Sequence, residues 1–150
     1  MRLAYSTIGQ LAYIVLATAI LAPFSILAAV LHLAFHALGK IILFLSAGII
    51  ATRVNVKYVS EMNGISTSLP YTSLLLSLGA IIMVGLPPTI GFISKWFLIQ
   101  GIIDADMYIL VAVIVLSTIL NAAYYFPMIY KPFFGPCLLY TSPSPRDWTI

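Results

Sequence analysis

Four long apolar stretches fill most of this sequence, and they constrain its fold more than any other feature. They cover residues 3–22, 25–52, 71–103 and 107–130. A helix needs about 20 predominantly apolar residues to cross a bilayer, so each stretch is long enough to do so. Because a spanning segment must satisfy its own backbone hydrogen bonds, we predict an all-α fold, a polytopic membrane helix bundle of about four spans.

Composition supports the membrane class and excludes several others. Charged residues make up 7% of the chain and hydrophobic residues 62%, whereas soluble domains carry roughly 25% charged residues. The formal net charge of +3 is small and dispersed, so we expect the lipid bilayer, and no nucleic acid, as a partner. The single cysteine, Cys137, rules out a disulfide framework and a cysteine-based metal cluster.

The third stretch contains a helix-breaking segment. Two consecutive prolines, Pro87 and Pro88, precede Gly91 near its middle, and a proline inside a helix removes a backbone donor. Membrane helices tolerate such breaks where neighbouring groups satisfy the freed backbone, so an ordinary kink is one interpretation. We predict instead one discontinuous transmembrane helix over residues 71–103, because the stretch is too long for a single straight span.

The charges in the loops predict an orientation. Four spans put the N-terminus, the polar loop after residue 52 and the C-terminal end on one side of the membrane. That side collects the basic loop residues Arg2, Arg53, Lys57 and Lys131 and one acid, Glu61, whereas Asp104 and Asp106 fall on the other side. The opposite side has no lysine or arginine. We therefore expect a multi-pass protein of the inner (plasma) membrane whose N-terminus is cytoplasmic.

Two lysines lie inside the apolar stretches, where a charge is costly. Lys40 is in the second stretch, and Lys95 follows the proline break. Ionisable residues near the bilayer midplane usually face a bundle interior and serve ion pathways. Lys40 lies about 12 residues from the nearer end of its stretch, roughly 18 Å at helical rise, which is too far for its stem to reach an interface. The pair indicates ion translocation.

Two histidines precede Lys40 at helical spacing. His32, His36 and Lys40 fall at i, i+4 and i+8, so they follow one stripe of a helix. Imidazole can accept and donate a proton near neutral pH, and a lysine can carry or release one. We predict a proton pathway through His32, His36 and Lys40 toward Lys95. The alternative is a pair of hydrogen-bonded core histidines beside a structural lysine.

The same histidines do not fit a haem or zinc site. Two histidines one turn apart cannot bind opposite faces of a haem iron, and a zinc ion would need a third and a fourth ligand. The nearest candidate ligands, Glu61, Asp104 and Asp106, lie in loops. No nucleophile–base pair or phosphate-binding loop is evident. We expect no catalytic centre, no cofactor and no metal in this chain.

Other polar residues inside the apolar stretches form two weaker patterns. One face of the first predicted helix carries Ser6, Gln10 and Tyr13, and one face of the last carries Ser117 and Asn121. Residues of this kind usually form hydrogen bonds between membrane helices. We interpret both sets as interhelical contacts and not as members of the pathway.

Three segments together resemble the motifs of one protein family. They are LAYSTIGQLAY at 3–13, HLAFHALGK at 32–40 and GLPPTIGFISKW at 85–96. In this order they resemble the antiporter-like, proton-translocating membrane subunits shared by respiratory complex I, membrane-bound hydrogenases and Mrp-type sodium/proton antiporters. The resemblance covers nearly residues 1–135. The sequence at 91–96 and 120–124 is most similar to that of the D-type subunits of Mrp antiporters.

This resemblance implies proton translocation through a membrane half-channel of a monovalent cation/proton antiporter complex, with other membrane subunits as partners. His32, His36, Lys40 and Lys95 match the family's pathway residues. Whether sodium is exchanged or only protons move stays open. One alternative is a proton-pumping subunit of NADH:quinone oxidoreductase or of a membrane-bound hydrogenase. A structural membrane subunit that transports nothing is the alternative from another class.

The resemblance also predicts how the chain is divided. Family members have two inverted repeats, and residues 1–136 match the second repeat without its first helix, so we expect a C-terminal fragment of an antiporter-like domain. From Cys137 onward the sequence departs from the family pattern and resembles translated sequencing-adapter read-through. We therefore expect residues 137–150 to be a non-native or disordered tail.

Overall fold

The computed structural model describes residues 2–56 and 58–134, and every structural statement below refers to these residues. Lys57 and the predicted tail over 137–150 lie outside them. The described chain contains five α-helices, α1 (Arg2–Ile20), α2 (Pro23–Val54), α3 (Pro70–Val84), α4 (Ile90–Asp104) and α5 (Ile109–Tyr130), with two short 3-10 helices, Val59–Glu61 and Ile65–Thr67. It contains no strand. The predicted all-α membrane bundle is confirmed.

Residues with special backbone preferences define the helix ends. Pro23 and Pro70 begin α2 and α3, where a proline's fixed φ suits the first turn and its missing N–H is not needed. Asn55 and Gly85 end the same helices in the left-handed conformation, with φ of 56° and 76°. This conformation lets the chain leave a helix abruptly, and it favours glycine and asparagine.

Three helices are long and apolar enough to cross a bilayer, namely α1, α2 and α5. Helices α3 and α4 have 15 residues each, about 22 Å at helical rise, which is less than the roughly 30 Å of a hydrocarbon core. Only both together are long enough for the third predicted span.

Contacts along α2 show that α3 and α4 lie end to end. Near the start of α2, the backbone of Ser25 packs against α4, and at its middle Gly39 packs against the end of α3. Further on, Leu43 meets Gly79, which lies earlier in α3. The contact partner thus moves steadily backward in sequence, from α4 into α3, as α2 advances. The two helices form the predicted discontinuous helix, antiparallel to α2.

Two apolar clusters hold the bundle together. One joins α2, α3 and α5, and its fully buried members include Leu43, Leu76 and Tyr125. The other joins α1, α2, α4 and α5 through residues such as Ala17, Ala29, Leu98, Ile102 and Ile114. Many large apolar side chains are exposed instead, for example Ile8 and Ile109. An apolar exterior of this kind suits lipid as the solvent.

The polar loop after α2 lies at the C-terminal end of α5. The N–H of Gly64 donates to the Lys131 carbonyl at 3.2 Å, and that of Ser66 donates to the Pro132 carbonyl at 3.0 Å. The first turn of α1 lies elsewhere, because the Lys40 ammonium donates to the Leu3 carbonyl. Lys40 is about 20 Å from the Arg53 end of α2 at helical rise. The first turn of α1 and the basic loop therefore lie at different depths along α2, and the predicted side of the N-terminus stays a prediction.

Candidate functional site

Lys40 is buried at the interface of α1 and α2. Its side chain is only 8% exposed, and its ammonium donates hydrogen bonds to the Leu3 carbonyl and the Ser6 hydroxyl of α1. The Phe44 ring lies 5.8 Å from the same nitrogen, a distance at which a ring face attracts a cation. All of these partners are uncharged, so the lysine lies among dipoles and aromatic carbon.

Lys95 is buried beside the helix break. The side chain is 4% exposed, and its Nζ donates to the Val84 carbonyl at 2.6 Å and to Thr118 Oγ1 at 3.3 Å. Val84 is the last residue of α3, where carbonyls lack intrahelical partners and the helix dipole is negative. The break therefore supplies an acceptor that a continuous helix would have used for itself. This carbonyl stabilises the ammonium without a carboxylate.

The close approach of α3 and α4 requires glycine on both sides of the break. A Cβ on Gly91 would lie 2.0 Å from the Ile82 carbonyl oxygen and 3.2 Å from the Gly85 Cα. Gly85 also has a positive φ of 76°, which residues with a Cβ rarely adopt. These two glycines let the ends of α3 and α4 touch, and so they bring the Val84 carbonyl to Lys95.

His32 lies between α1 and α4 and uses both ring nitrogens. Its Nδ1 is 2.9 Å from Ser94 Oγ of α4, and its Nε2 is 3.0 Å from Gln10 Oε1 of α1. The centre of the Tyr13 ring lies 5.5 Å from the centre of the His32 ring. The centre of the Tyr13 ring also lies 5.1 Å from Lys95 Nζ. Tyr13 therefore joins the two predicted pathway residues that are far apart in sequence.

His36 lies between His32 and Lys40 along α2. Its ring stacks on that of His32 with centroids 6.5 Å apart and an interplanar angle of 7°. Its Nδ1 is buried, with no hydrogen-bond partner among the described residues. The order along the site is thus Lys40, His36, His32 and Lys95, and the bundle brings all four predicted residues into one row.

Acidic side chains are absent from the interior of the described helices. Glu61 lies in a 3-10 helix, Asp104 is the last residue of α4, and Asp106 is in the following turn. The described part of the chain also contains no group of three His, Cys, Asp or Glu residues that could hold a metal ion. The site can therefore exchange protons on nitrogen atoms, but it offers no carboxylate to do so.

Several residues of the site were missed or given another role by the sequence reasoning. Gln10 and Tyr13 do make interhelical hydrogen bonds, as predicted, since Tyr13 donates to Ser117 Oγ at 2.7 Å. They also contact His32 directly, which the helical periodicity alone does not reveal. Ser94 and Thr118 carry no signal beyond being polar residues in apolar stretches. Their roles depend on which helices pack together.

A cleft of about 250 Å³ opens beside these residues, between α1 and α5. Ser6, Gln10 and Tyr13 line it from α1, and Ser117 and Asn121 line it from α5. It therefore reaches the partners of Lys40 and of His32. A second groove, of about 240 Å³, lies between α4 and α5 and is lined by Lys95 and Thr118.

The fold and site define a class of protein, a multi-pass membrane protein with a row of buried, titratable nitrogens at a broken helix. The family model for the NADH:quinone oxidoreductase/Mrp antiporter transmembrane domain matches residues 1–121. This chain belongs to that family, as its three motifs predicted.

Relatives with established names agree with this assignment. The chain is 42% identical over 127 residues to NADH-quinone oxidoreductase subunit N of Desulforudis audaxviator, covering 85% of this chain and 25% of that protein. It is 36% identical over 135 residues to NADH-ubiquinone oxidoreductase chain 5 of Metridium senile, covering 87% of this chain and 22% of that protein. It is 27% identical over 133 residues to F(420)H(2) dehydrogenase subunit M of Methanosarcina mazei, covering 89% of this chain and 27% of that protein. The chain thus spans about a quarter of the length of these relatives. The likeness to the D-type subunits of Mrp antiporters stays a prediction.

Proposed function

We propose that this chain forms part of a proton-translocating half-channel in a multi-subunit membrane complex, with His32, His36, Lys40 and Lys95 as its proton pathway. One observation carries the proposal. Two lysines are buried inside a membrane bundle, at either end of a histidine pair, and among the described residues their ammonium groups bind only neutral oxygens and aromatic rings. A buried charge without a counter-ion destabilises a fold, so stability alone gives no reason to keep either lysine.

The partners of both lysines suit groups that change charge. The Ser6 and Thr118 hydroxyls can each donate or accept a hydrogen bond. Each hydroxyl can therefore accept from the ammonium and, after the proton leaves, donate to the neutral amine. The Val84 carbonyl accepts a hydrogen bond from Lys95, and it can do so in either state because the ammonium and the neutral amine both carry N–H donors. A site of this kind keeps its geometry while a proton passes, and this supports a transport role over a structural one.

The relatives' names favour a redox-driven complex as the setting. The relatives are named as subunits of NADH-quinone oxidoreductase and of F(420)H(2) dehydrogenase, and the most identical of the three reaches 42%. We propose that the other membrane subunits of such a complex are the partners of this chain. A monovalent cation/proton antiporter complex is the second candidate, favoured by the family description, which includes Mrp antiporters, and by the motif at 91–96. Exchange of sodium belongs to that second candidate.

The proposal includes a location and a domain extent. We propose the inner (plasma) membrane, with the N-terminus on the cytoplasmic side and residues 1–136 as one partial antiporter-like domain. Support comes from the end of the bundle where the loop after Arg53 meets Lys131, because basic residues concentrate on the cytoplasmic side.

Alanine substitution of the lysines tests the pathway. In the full-length subunit, within its complex, Lys40→Ala and Lys95→Ala should each abolish most proton flux into vesicles that contain a pH-sensitive dye. Insertion and abundance should stay near normal, because each change removes a desolvated charge. Lys131→Ala, at the end of α5, is the matched control and should keep wild-type flux. Wild-type flux in both pathway variants would reject the half-channel and favour the structural subunit.

The driving reaction is tested separately in the same vesicles. The redox-driven complex would be supported if proton flux begins when NADH or reduced F420 is added and does not change when a sodium gradient is imposed. Flux that follows the sodium gradient without any electron donor would support the antiporter complex instead. Both results leave the assignment of the pathway residues unchanged.

A further inference from the structure

Gln10 joins His32 to the end of α3. The side chain is 2% exposed, and its amide nitrogen donates to the Met83 carbonyl at 3.3 Å. The amide oxygen of the same side chain lies 3.0 Å from His32 Nε2. The role predicted from sequence, a contact between helices, describes both bonds, but it does not include the link to a histidine of the predicted pathway.

The Met83 carbonyl determines which way the amide of Gln10 points. A carbonyl oxygen can only accept, so the NH₂ group must face Met83, and the amide oxygen must then face His32. An amide oxygen can also only accept. The hydrogen bond between Gln10 and His32 therefore requires a hydrogen on Nε2. In the neutral ring this leaves Nδ1 as the bare, accepting nitrogen.

The Ser94 hydroxyl lies near two possible acceptors for its hydrogen, His32 Nδ1 and the Gly91 carbonyl. Its Oγ is 2.9 Å from His32 Nδ1 and 3.1 Å from the Gly91 carbonyl oxygen, and the hydroxyl has one hydrogen to give. When His32 is neutral, Ser94 donates to Nδ1. When His32 is charged, Nδ1–H donates to Ser94 Oγ, and the serine hydrogen turns to Gly91. Every partner is satisfied in both states.

We propose that Gln10 and Ser94 are positioning residues that hold neutral His32 as the Nε2–H tautomer and confine its proton uptake to Nδ1, the ring edge facing α4. This inference rests on the proposed function. In the step itself, one proton delivered along the pathway binds the Nδ1 lone pair, and the ring gains one positive charge. Ser94 keeps its own proton and only reorients, and release reverses both changes.

The arrangement also defines the relation between the two histidines. Parallel rings with centroids 6.5 Å apart do not direct their in-plane nitrogens at each other. Nε2 of His32 is engaged by an amide, which does not titrate. Proton exchange between His32 and His36 through His32 Nε2 is therefore blocked while Gln10 is in place. The nitrogen of His32 that can exchange a proton, Nδ1, faces α4.

Nitrogen NMR on the native complex tests the tautomer. With ¹⁵N-labelled histidine, and with the His32 signals assigned by their loss in His32→Gln, the neutral ring should show a protonated Nε2 and a bare Nδ1. Gln10→Leu removes the acceptor and should shift the tautomer ratio toward Nδ1–H by up to about tenfold, the equivalent of one buried hydrogen bond of about 1.4 kcal/mol. Gln10→Glu should restore the wild-type ratio, because a protonated carboxyl can also donate to Met83 and accept from Nε2.

Asn121 provides a matched control. Its amide donates to the same Met83 carbonyl at 3.0 Å. Asn121→Leu therefore removes a comparable bond to the end of α3, and it should leave the His32 tautomer unchanged. If Gln10→Leu does not fold, the wild-type tautomer and the Gln10→Glu spectrum remain decisive. A bare Nε2 in the wild type, an unshifted ratio in a folded Gln10→Leu protein, or the same shift in Asn121→Leu would overturn the proposal.

Failure of the inference and failure of the proposed function give different results. If the tautomer behaves as expected but the alanine variants of the lysines keep full flux, the positioning is correct and the half-channel is not. If those variants lose flux while Gln10→Leu leaves the His32 spectrum unchanged, the half-channel stands without this role for Gln10. If both hold, Gln10→Leu should also lower flux, and Gln10→Glu should recover most of it.

Discussion

Replacement of Gly91 by alanine tests whether the contact between α3 and α4 is as close as the structure has it. The new Cβ would lie 2.0 Å from the Ile82 carbonyl oxygen and 3.2 Å from the Gly85 Cα. A Cβ essentially never lies closer than 3.0 Å to another heavy atom, so the helix ends would have to separate by about 1 Å or more. Both obstacles are backbone atoms, which cannot rotate away as a side chain could.

The expected change in the free energy of unfolding is the sum of two opposing effects. Overpacking costs about 1–3 kcal/mol, and a backbone obstacle puts this site at the upper end. Alanine in place of glycine within a helix returns about 1 kcal/mol. We therefore expect Gly91→Ala to lower the free energy of unfolding by about 1–2 kcal/mol, and so to lower Tm. Proton flux should fall as well, because Lys95 and Ser94 both hydrogen-bond at this break.

Gly48→Ala is the control, since a Cβ on Gly48, in the last third of α2, meets nothing within 4 Å. This variant should keep or slightly raise the stability, by up to about 1 kcal/mol from helix propensity, and it should keep full flux. The assay is thermal unfolding of the full-length subunit in its purified complex, followed by flux in vesicles. Equal Tm and equal flux for the two variants would refute the close contact and, with it, the account of how the break supplies an acceptor to Lys95.

Three further predictions concern Lys95 and the orientation of the bundle. Lys95→Arg should lose most flux, because arginine stays protonated, and wild-type flux would show that Lys95 need not release its proton. Lys95→Glu should keep partial flux, because a desolvated carboxyl can also titrate; flux no higher than in Lys95→Ala would contradict this. In a Cys137→Ser background, a cysteine at Ser60 should be labelled from the cytoplasmic face and one at Asp104 from the opposite face. Labelling of both from one face would contradict the proposed topology.

Much of the architecture could be predicted from the sequence because its signals are local. Apolar length and the consecutive prolines Pro87 and Pro88 depend on a residue and its immediate neighbours, so the sequence indicated α2, α5 and the break directly. The stripe of His32, His36 and Lys40 follows in the same way from the helical repeat. The family could also be predicted, because three motifs in one order are specific, and the match over residues 1–121 confirms it.

What the sequence by itself determined was thus the class of protein, the position of its helices and the identity of the buried lysines and histidines. Only the tertiary structure decided the partners of these residues. Gln10 and His32 are 22 positions apart, and His32 and Ser94 are 62 apart. No local rule links such positions, because their contact depends on which helix faces pack and at what depth. The acceptor for Lys95 exists for the same reason, since glycine backbones let two helix ends meet beside it and leave the Val84 carbonyl free to bind a charge.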